Sequence, residues 1–183
     1  MSYTAIFLGE GFEEVEALTP ADLLRRAGIT CDLVSISDSA EVKGSHGITV
    51  KADKLFSQVD FDSLDMIILP GGMPGTENLR NHPGLSSKID EFVASGKPVS
   101  AICAAPTILG QKGVLKGIQA SCYPGLENKL TEARVSYDNV SSDGIFITGR
   151  GVGTAIDFSL EIVKKFCGDD AAKKLAEAIV YSG

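Results

Sequence analysis

The chain has 183 residues, 17 Lys and Arg against 24 Asp and Glu, a net charge of −7 and a hydrophobic share of 44%. That is the balance of an ordinary globular protein, long enough as one domain over residues 1–183 to bury roughly 70% of the surface its unfolded form exposes. It lacks the clustered positive charge that holds a phosphate backbone, and no run approaches the ~18 apolar residues of a membrane span, so nucleic acid and membrane are excluded as expected partners.

The first apolar run, in "MSYTAIFLGEGFEEVE", is too short for a signal peptide and acidic residues follow at once, which predicts a cytoplasmic protein. Within it "TAIFLG" (4–9) reads as a buried strand. "EEVEALTPADLLRRAG" (13–28) reads as an amphipathic helix stopped by Gly28, with Pro20 expected to kink or restart it. "TCDLVSI" (30–36) is the next strand, and "GITVKAD" (47–53), after the turn-rich "KGSHG", predicts a hairpin arm outside the main alternation. "LDMIILPGG" (64–72) is a continuous apolar run ended by Pro-Gly-Gly, as a central parallel strand entering a ligand-facing loop would be.

Further on, "HPGLSSKIDEFVASG" (82–96) reads as a helix with Pro83 in its first turn, "KPVSAI" (97–102) as a strand and "AAPTILGQKG" (104–113) as a helix. "IQASCY" (118–123), "RVSYDNVSSDG" (134–144) and "IFITG" (145–149) supply more strand. "GTAIDFSLEIVKKFCG" (153–168) and "DDAAKKLAEAIVYSG" (169–183) close the chain as helices. This alternation predicts an α/β fold, a mostly parallel sheet covered on both faces, with ligands outside the carboxyl ends of the strands. The loops there are Gly9–Glu16, Gly71–Gly75 and Cys103–Pro106.

Those loops carry the chemistry. Cys103 ends a strand and precedes a helix, whose N–H groups and positive end favour a thiolate. The alternative is a small core thiol, the usual state of cysteine in a reducing compartment. Gly71 and Gly72 allow close backbone approach, and N–H groups of Gly72 and Ala104 would make an oxyanion hole. In "FEEVE", Glu13, Glu14 and Glu16 read either as first-turn acids opposing the helix dipole or, if one turns inward, as a proton carrier beside Cys103. His46 and His82, both expected at the surface, lie in none of these loops, which weakens a Cys–His peptidase reading. "GRGVGT" (149–154) lacks the Lys-Ser/Thr of a phosphate loop, and "GEGFEE" lacks the third glycine of a dinucleotide fingerprint. The other cysteines, Cys31, Cys122 and Cys167, are far apart, with no C-x-x-C and no histidine at ligand spacing, so neither a disulfide framework, a metal site nor a cofactor is expected.

Four segments, "EGFEEVEALTPADLLRRAGI", "DMIILPGGMPGTENL", "AICAAPTILGQKGVL" and "GRGVGTAIDFSLEIV", resemble in order the signature segments of the ThiJ/PfpI superfamily (class I glutamine amidotransferase-like), in its parkinsonism-associated deglycase branch. The resemblance implies a flavodoxin-like three-layer sandwich and a homodimer. It implies Cys103 as nucleophile, Glu16 as a protonated partner, and Gly72 and Ala104 as backbone donors. It further implies glyoxalase or deglycase action on small reactive aldehydes and on glycated protein or nucleotide adducts in stress defence, or peroxide sensing through Cys103. Three positions depart from the pattern. Tyr123 stands where the branch often has a histidine, Ala104 where the protease-like branch has one, and His46 where an arginine is frequent. A hydrolase would need His46 or His82 from a partner subunit, and Arg26 with His46 would help hold an anion near the partner's site.

Overall fold

The computed structural model describes residues 2–182. Its sheet is built from the predicted apolar runs: β1 (Tyr3–Leu8), β2 (Thr30–Ser35), β6 (Met66–Leu69), β7 (Val99–Ile102), β10 (Val140–Asp143) and β11 (Phe146–Gly149), joined by a two-residue strand β5 (Lys54–Leu55). The strand order is β10-β11-β7-β6-β1-β2-β5, parallel throughout except for the antiparallel edge pair β10–β11. This is the flavodoxin-like, mostly parallel sandwich expected.

Alternate residues of each central strand go to opposite faces, and both faces are apolar because both are covered. Ile6, Leu8, Met66 and Ile68 pack with helices α1 (Glu14–Arg26), α5 (Ala155–Cys167) and α6 (Asp169–Ala178). Ala5, Phe7, Ile67 and Leu69 pack on the other side, with α2 (Gly75–Asn81), α3 (Pro83–Ala94) and α4 (Pro106–Gln111). The helix α1 is one segment with Pro20 inside, so the expected restart does not occur. Proline deletes one backbone hydrogen bond, but Ala17, Ala21 and Leu24 are buried around it and their packing keeps the segment helical.

The hairpin arm exists: β3 (Glu41–Lys43) pairs antiparallel with β4 (Thr49–Lys51). Its loop is tied to the turn before α1, with the Gly11 N–H donating to the Lys43 carbonyl at 2.8 Å and the Ser45 N–H to the Phe12 carbonyl at 2.8 Å. Elsewhere the strands are shorter than expected. "RVSYDNVSSDG" splits into β9 (Arg134–Val135), which pairs with β8 (Gln119–Ala120) in a separate two-stranded sheet, and the edge strand β10.

The chain passes from β1 to β2 on one side of β1 and later returns to β6 on the other. The order of strands therefore reverses between β1 and β6. A crevice opens at the carboxyl ends where connections diverge in this way, and the loops after β1, β6 and β7 all meet there.

Candidate active site

Cys103 follows directly on β7 and holds φ +64°, left-handed backbone that a non-glycine residue adopts at a cost of about 1–3 kcal/mol. Two hydrogen bonds keep it there: its N–H donates to the Gly149 carbonyl at 2.9 Å, and its carbonyl accepts the Tyr123 N–H at 2.8 Å. The turn projects the half-buried thiol into a cavity of about 280 Å³ shared with Gly72, Ala104 and Tyr123. The backbone N–H groups of Ala104 and Gly72 pull the thiol's pKa down, against the burial that raises it.

Gly72 is required by two separate facts. Its φ is +89°, and a Cβ there would collide with the backbone of Gly11, Phe12 and Glu13. At Gly71 a Cβ would stand 2.7 Å from Glu16 Oε2, 2.8 Å from Cys103 Cβ and 3.1 Å from its sulfur, so only glycine lets acid and thiol meet across this strand end.

Glu16, on the first turn of α1, is wholly buried. Its Oε2 accepts the Gly71 N–H at 2.9 Å, while Oε1 is buried without a hydrogen-bond partner among the described residues. Burial pushes the carboxyl up to about 7, with the Cys103 thiol and the Gly71 N–H pulling down and the charge of Glu13 adding to the rise. The thiol moves in the same direction. Burial first, then the charge and hydrogen bonding of Glu16, push Cys103 up to about 12, against the pull of the Ala104 and Gly72 N–H groups.

The helix end favours a thiolate, and the burial and charge around the sulfur oppose it. An ionised Glu16 opposes a thiolate, whereas a protonated Glu16 removes that repulsion and offers a proton from the otherwise unpartnered Oε1. Cys31 and Cys122 are buried and pushed by that burial to about 11, as inert core thiols are.

Not all the expected residues come together. Arg26 is outside the cavity, paired with Asp22 at 2.6 Å beside a groove of Leu18, Leu23 and Ile179. His46 is on the hairpin loop, its Nδ1 3.0 Å from Glu14 Oε2, so Arg26 and His46 do not form one anion site within the chain. His82 caps α3, its Nδ1 accepting the Leu85 N–H at 2.9 Å. Among the described residues no histidine lines the cavity.

Residues the sequence did not single out complete its wall: Thr76, Glu77 and Arg80 on α2, Thr107 on α4, and Lys129. Arg80 Nη2 donates to Thr107 Oγ1 at 2.7 Å, and that hydroxyl donates to the Ala104 carbonyl at 2.7 Å, bracing the turn that holds Cys103. Thr76 and Arg80 are spaced i, i+4 and share a helix face, but Pro74-Gly75 reads as a turn and conceals α2. A wider depression near Tyr137, Asn139, Asp157 and Lys164 holds no nucleophile.

Because the folded state raises the Glu16 pKa, the acid contributes its full stability below the unfolded value of 4.5, and loses it as pH climbs through about 7. Urea unfolding of Glu16→Gln should match wild type near pH 4.5 and gain about 3 kcal/mol on it by pH 8. A difference that stays constant with pH would contradict a raised Glu16. Alkylation of Cys103, followed on into the alkaline range, should shift to lower pH in Glu16→Gln, because the charge that holds the thiol up is gone; an unmoved profile would contradict that coupling.

Residues 3–165 match the DJ-1/PfpI family. The Drosophila melanogaster protein dj-1beta is 34% identical over 183 residues, covering 97% of this chain and 96% of that protein. The Caenorhabditis elegans glutathione-independent glyoxalase DJR-1.2 is 33% identical over 172 residues, covering 93% of this chain and 91% of that one. The chain spans 39% of the length of the Arabidopsis thaliana protein DJ-1 homolog B, to which it is 36% identical over 172 residues. Among solved structures, oxidised Toxoplasma gondii DJ-1 superposes with a TM-score of 0.95 at 33% identity, over 100% of both chains. With a turn-borne cysteine, a buried glutamate and a glycine pair in one crevice, and with these likenesses along nearly its whole length, the chain belongs to the DJ-1/PfpI family.

Proposed function

We propose that the protein is a cysteine-dependent, glutathione-independent glyoxalase and deglycase, acting on methylglyoxal or glyoxal and on the early adducts these form. The observation that carries this reading is the meeting of Cys103 on its left-handed turn with the wholly buried Glu16 carboxyl across Gly71, where a Cβ would stand 2.7 Å from Glu16 Oε2 and 3.1 Å from the sulfur. The C. elegans relative, a glutathione-independent glyoxalase by name, supports it. A cavity of about 280 Å³ leaves room around a five-heavy-atom aldehyde, which suits an adduct as well as the free compound.

The chemistry follows from the placement. As the Cys103 sulfur adds to the aldehyde carbon and forms a C–S bond, the Glu16 carboxylate takes the thiol proton and passes it to the carbonyl oxygen beside the Gly72 and Ala104 N–H groups. The Glu16 carboxylate then removes the proton from the former aldehyde carbon, the hydroxyl proton passes to the neighbouring oxygen through the enediol, and Glu16 returns its proton to the neighbouring carbon. The adduct thereby becomes a 2-hydroxyacyl thioester. Water cleaves the C–S bond, releasing lactate from methylglyoxal or glycolate from glyoxal and restoring the thiol. No histidine is used, in keeping with the cavity wall.

Incubated with methylglyoxal and no glutathione, the protein should form lactate, Cys103→Ser should abolish this, and Glu16→Gln should slow it about 10²-fold or more. Wild-type rates in both variants would remove the mechanism.

A second reading, a redox-responsive binding protein or chaperone, is favoured by the same half-buried thiol, since an accessible cysteine among N–H donors can be carried to the sulfinate by peroxide. Graded peroxide followed by mass spectrometry should add two oxygens to Cys103 before Cys31, Cys122 or Cys167 reacts. Uniform oxidation of the four would sink that reading.

A homodimer is proposed on the exposed apolar residues Val15, Leu18, Ile48 and Val152, which lie on α1, on the hairpin and just before α5. Sedimentation equilibrium should give twice the 19.2 kDa chain mass, and Leu18→Asp should shift the protein toward monomer. Among the described residues no helix is long and apolar enough to cross a membrane.

A further inference from the structure

The hairpin loop between β3 and β4 folds over the start of α1 and gathers side chains that lie 32 positions apart in sequence. His46 Nδ1 is 3.0 Å from Glu14 Oε2 and 3.5 Å from Glu13 Oε1. Ser45 Oγ is 3.2 Å from Glu13 Oε2, 3.3 Å from Glu14 Oε2 and 3.1 Å from His46 Nδ1. One ligand atom from each of Glu13, Glu14 and His46 falls within 4.8 Å of the others.

Zinc takes imidazole nitrogen and carboxylate oxygen at about 2.0–2.2 Å in a tetrahedron, so its donors stand about 3.3–3.5 Å from one another. Here His46 Nδ1 stands 3.0 Å from Glu14 Oε2 and 3.5 Å from Glu13 Oε1, the two carboxylates offer oxygens within 4.8 Å of each other, and Ser45 Oγ is 3.1 Å from the imidazole nitrogen, where the hydroxyl or a water would complete the shell. Glu14 is held for the task from behind, because its Oε1 accepts the His46 N–H at 2.8 Å and the Ile48 N–H at 3.3 Å.

Charge points the same way. Among the described residues neither Lys nor Arg pairs with Glu13 or Glu14, and two converging carboxylates face a single imidazole.

We propose that Glu13, Glu14 and His46 form a zinc-type divalent metal site that clasps the hairpin to α1. Glu13 also lines the Cys103 cavity, so the ion sits at its rim. Imidazole with carboxylates suits zinc and its neighbours in the first transition row, rather than the all-oxygen shells of calcium or magnesium.

The whole protein, stripped with a chelator and dialysed, is titrated with Zn²⁺ by calorimetry and with Co²⁺ for the visible bands of a four-coordinate ion. One ion per chain is expected, with His46→Gln and Glu13→Gln each weakening binding at least tenfold and Cys103→Ser leaving it unchanged. His46 is exposed, so its variant tests the site without touching the core, and circular dichroism confirms that the variants are folded. No saturable binding at one equivalent overturns the proposal. So does binding that Cys103→Ser removes and His46→Gln keeps, since the ion then sits on the thiol and His46 is only an ion-pair partner of the glutamates.

Discussion

A carboxyl with no exposed surface must either find donors for both oxygens or keep its proton, and Glu16 is held between the two. One oxygen receives the Gly71 N–H and the other has no partner among the described residues, and burial pushes the group up to about 7. Other features of the crevice are arranged around that imbalance. Gly71 has no side chain because the carboxyl and the thiol occupy the space one would need. Cys103 is turned toward the acid by backbone that only anchoring on both sides can hold. The groups that pull the thiol down are backbone N–H groups, which do not themselves titrate, so the ionisable neighbour of the sulfur is Glu16.

The sheet explains why these groups can meet at all. Glu16 belongs to α1 on one face, the Gly71–Gly72 pair to the end of β6, and Cys103 to the end of β7. Only the carboxyl edge of a parallel sheet brings such distant segments together without long loops. The opposite face contributes support: α2 and α4 meet through Arg80 and Thr107, and that contact ends on the Ala104 carbonyl in the same turn as Cys103.

What the sequence disclosed follows from the range of the signals. β1, β6 and β7 are continuous apolar runs because both faces are buried, and α5 has its stripe of Phe158, Ile162 and Val163, so these elements are plain from local pattern. β5, β8 and β9, at two residues each, have no period to read, and α2 hides behind Pro74-Gly75. In the site, Cys103, Gly72 and Ala104 could be named because strand ends mark where ligands go. Glu16 could be separated from Glu13 and Glu14 only by the family resemblance, since a run of acids does not announce which one turns inward. Thr107 and Lys129 are lone polar residues with no spacing to betray them, and the meeting of His46 with Glu14 depends on how a hairpin folds back.

The two bonds that anchor Cys103 run to Gly149, at the end of β11, and to Tyr123, in the connection after β8. Cys103 is thus stitched to residues 20 and 46 positions further along the chain. Variation that lengthens or shortens the stretch between β8 and Tyr123 therefore cannot be absorbed locally, because it would move the thiol itself. The outer turn of the same connection, the exposed Pro124 and Gly125, is held less tightly than Leu130, which is buried in the core against α4. Divergence among relatives should accordingly reshape the rim of the crevice while the position of its sulfur stays fixed.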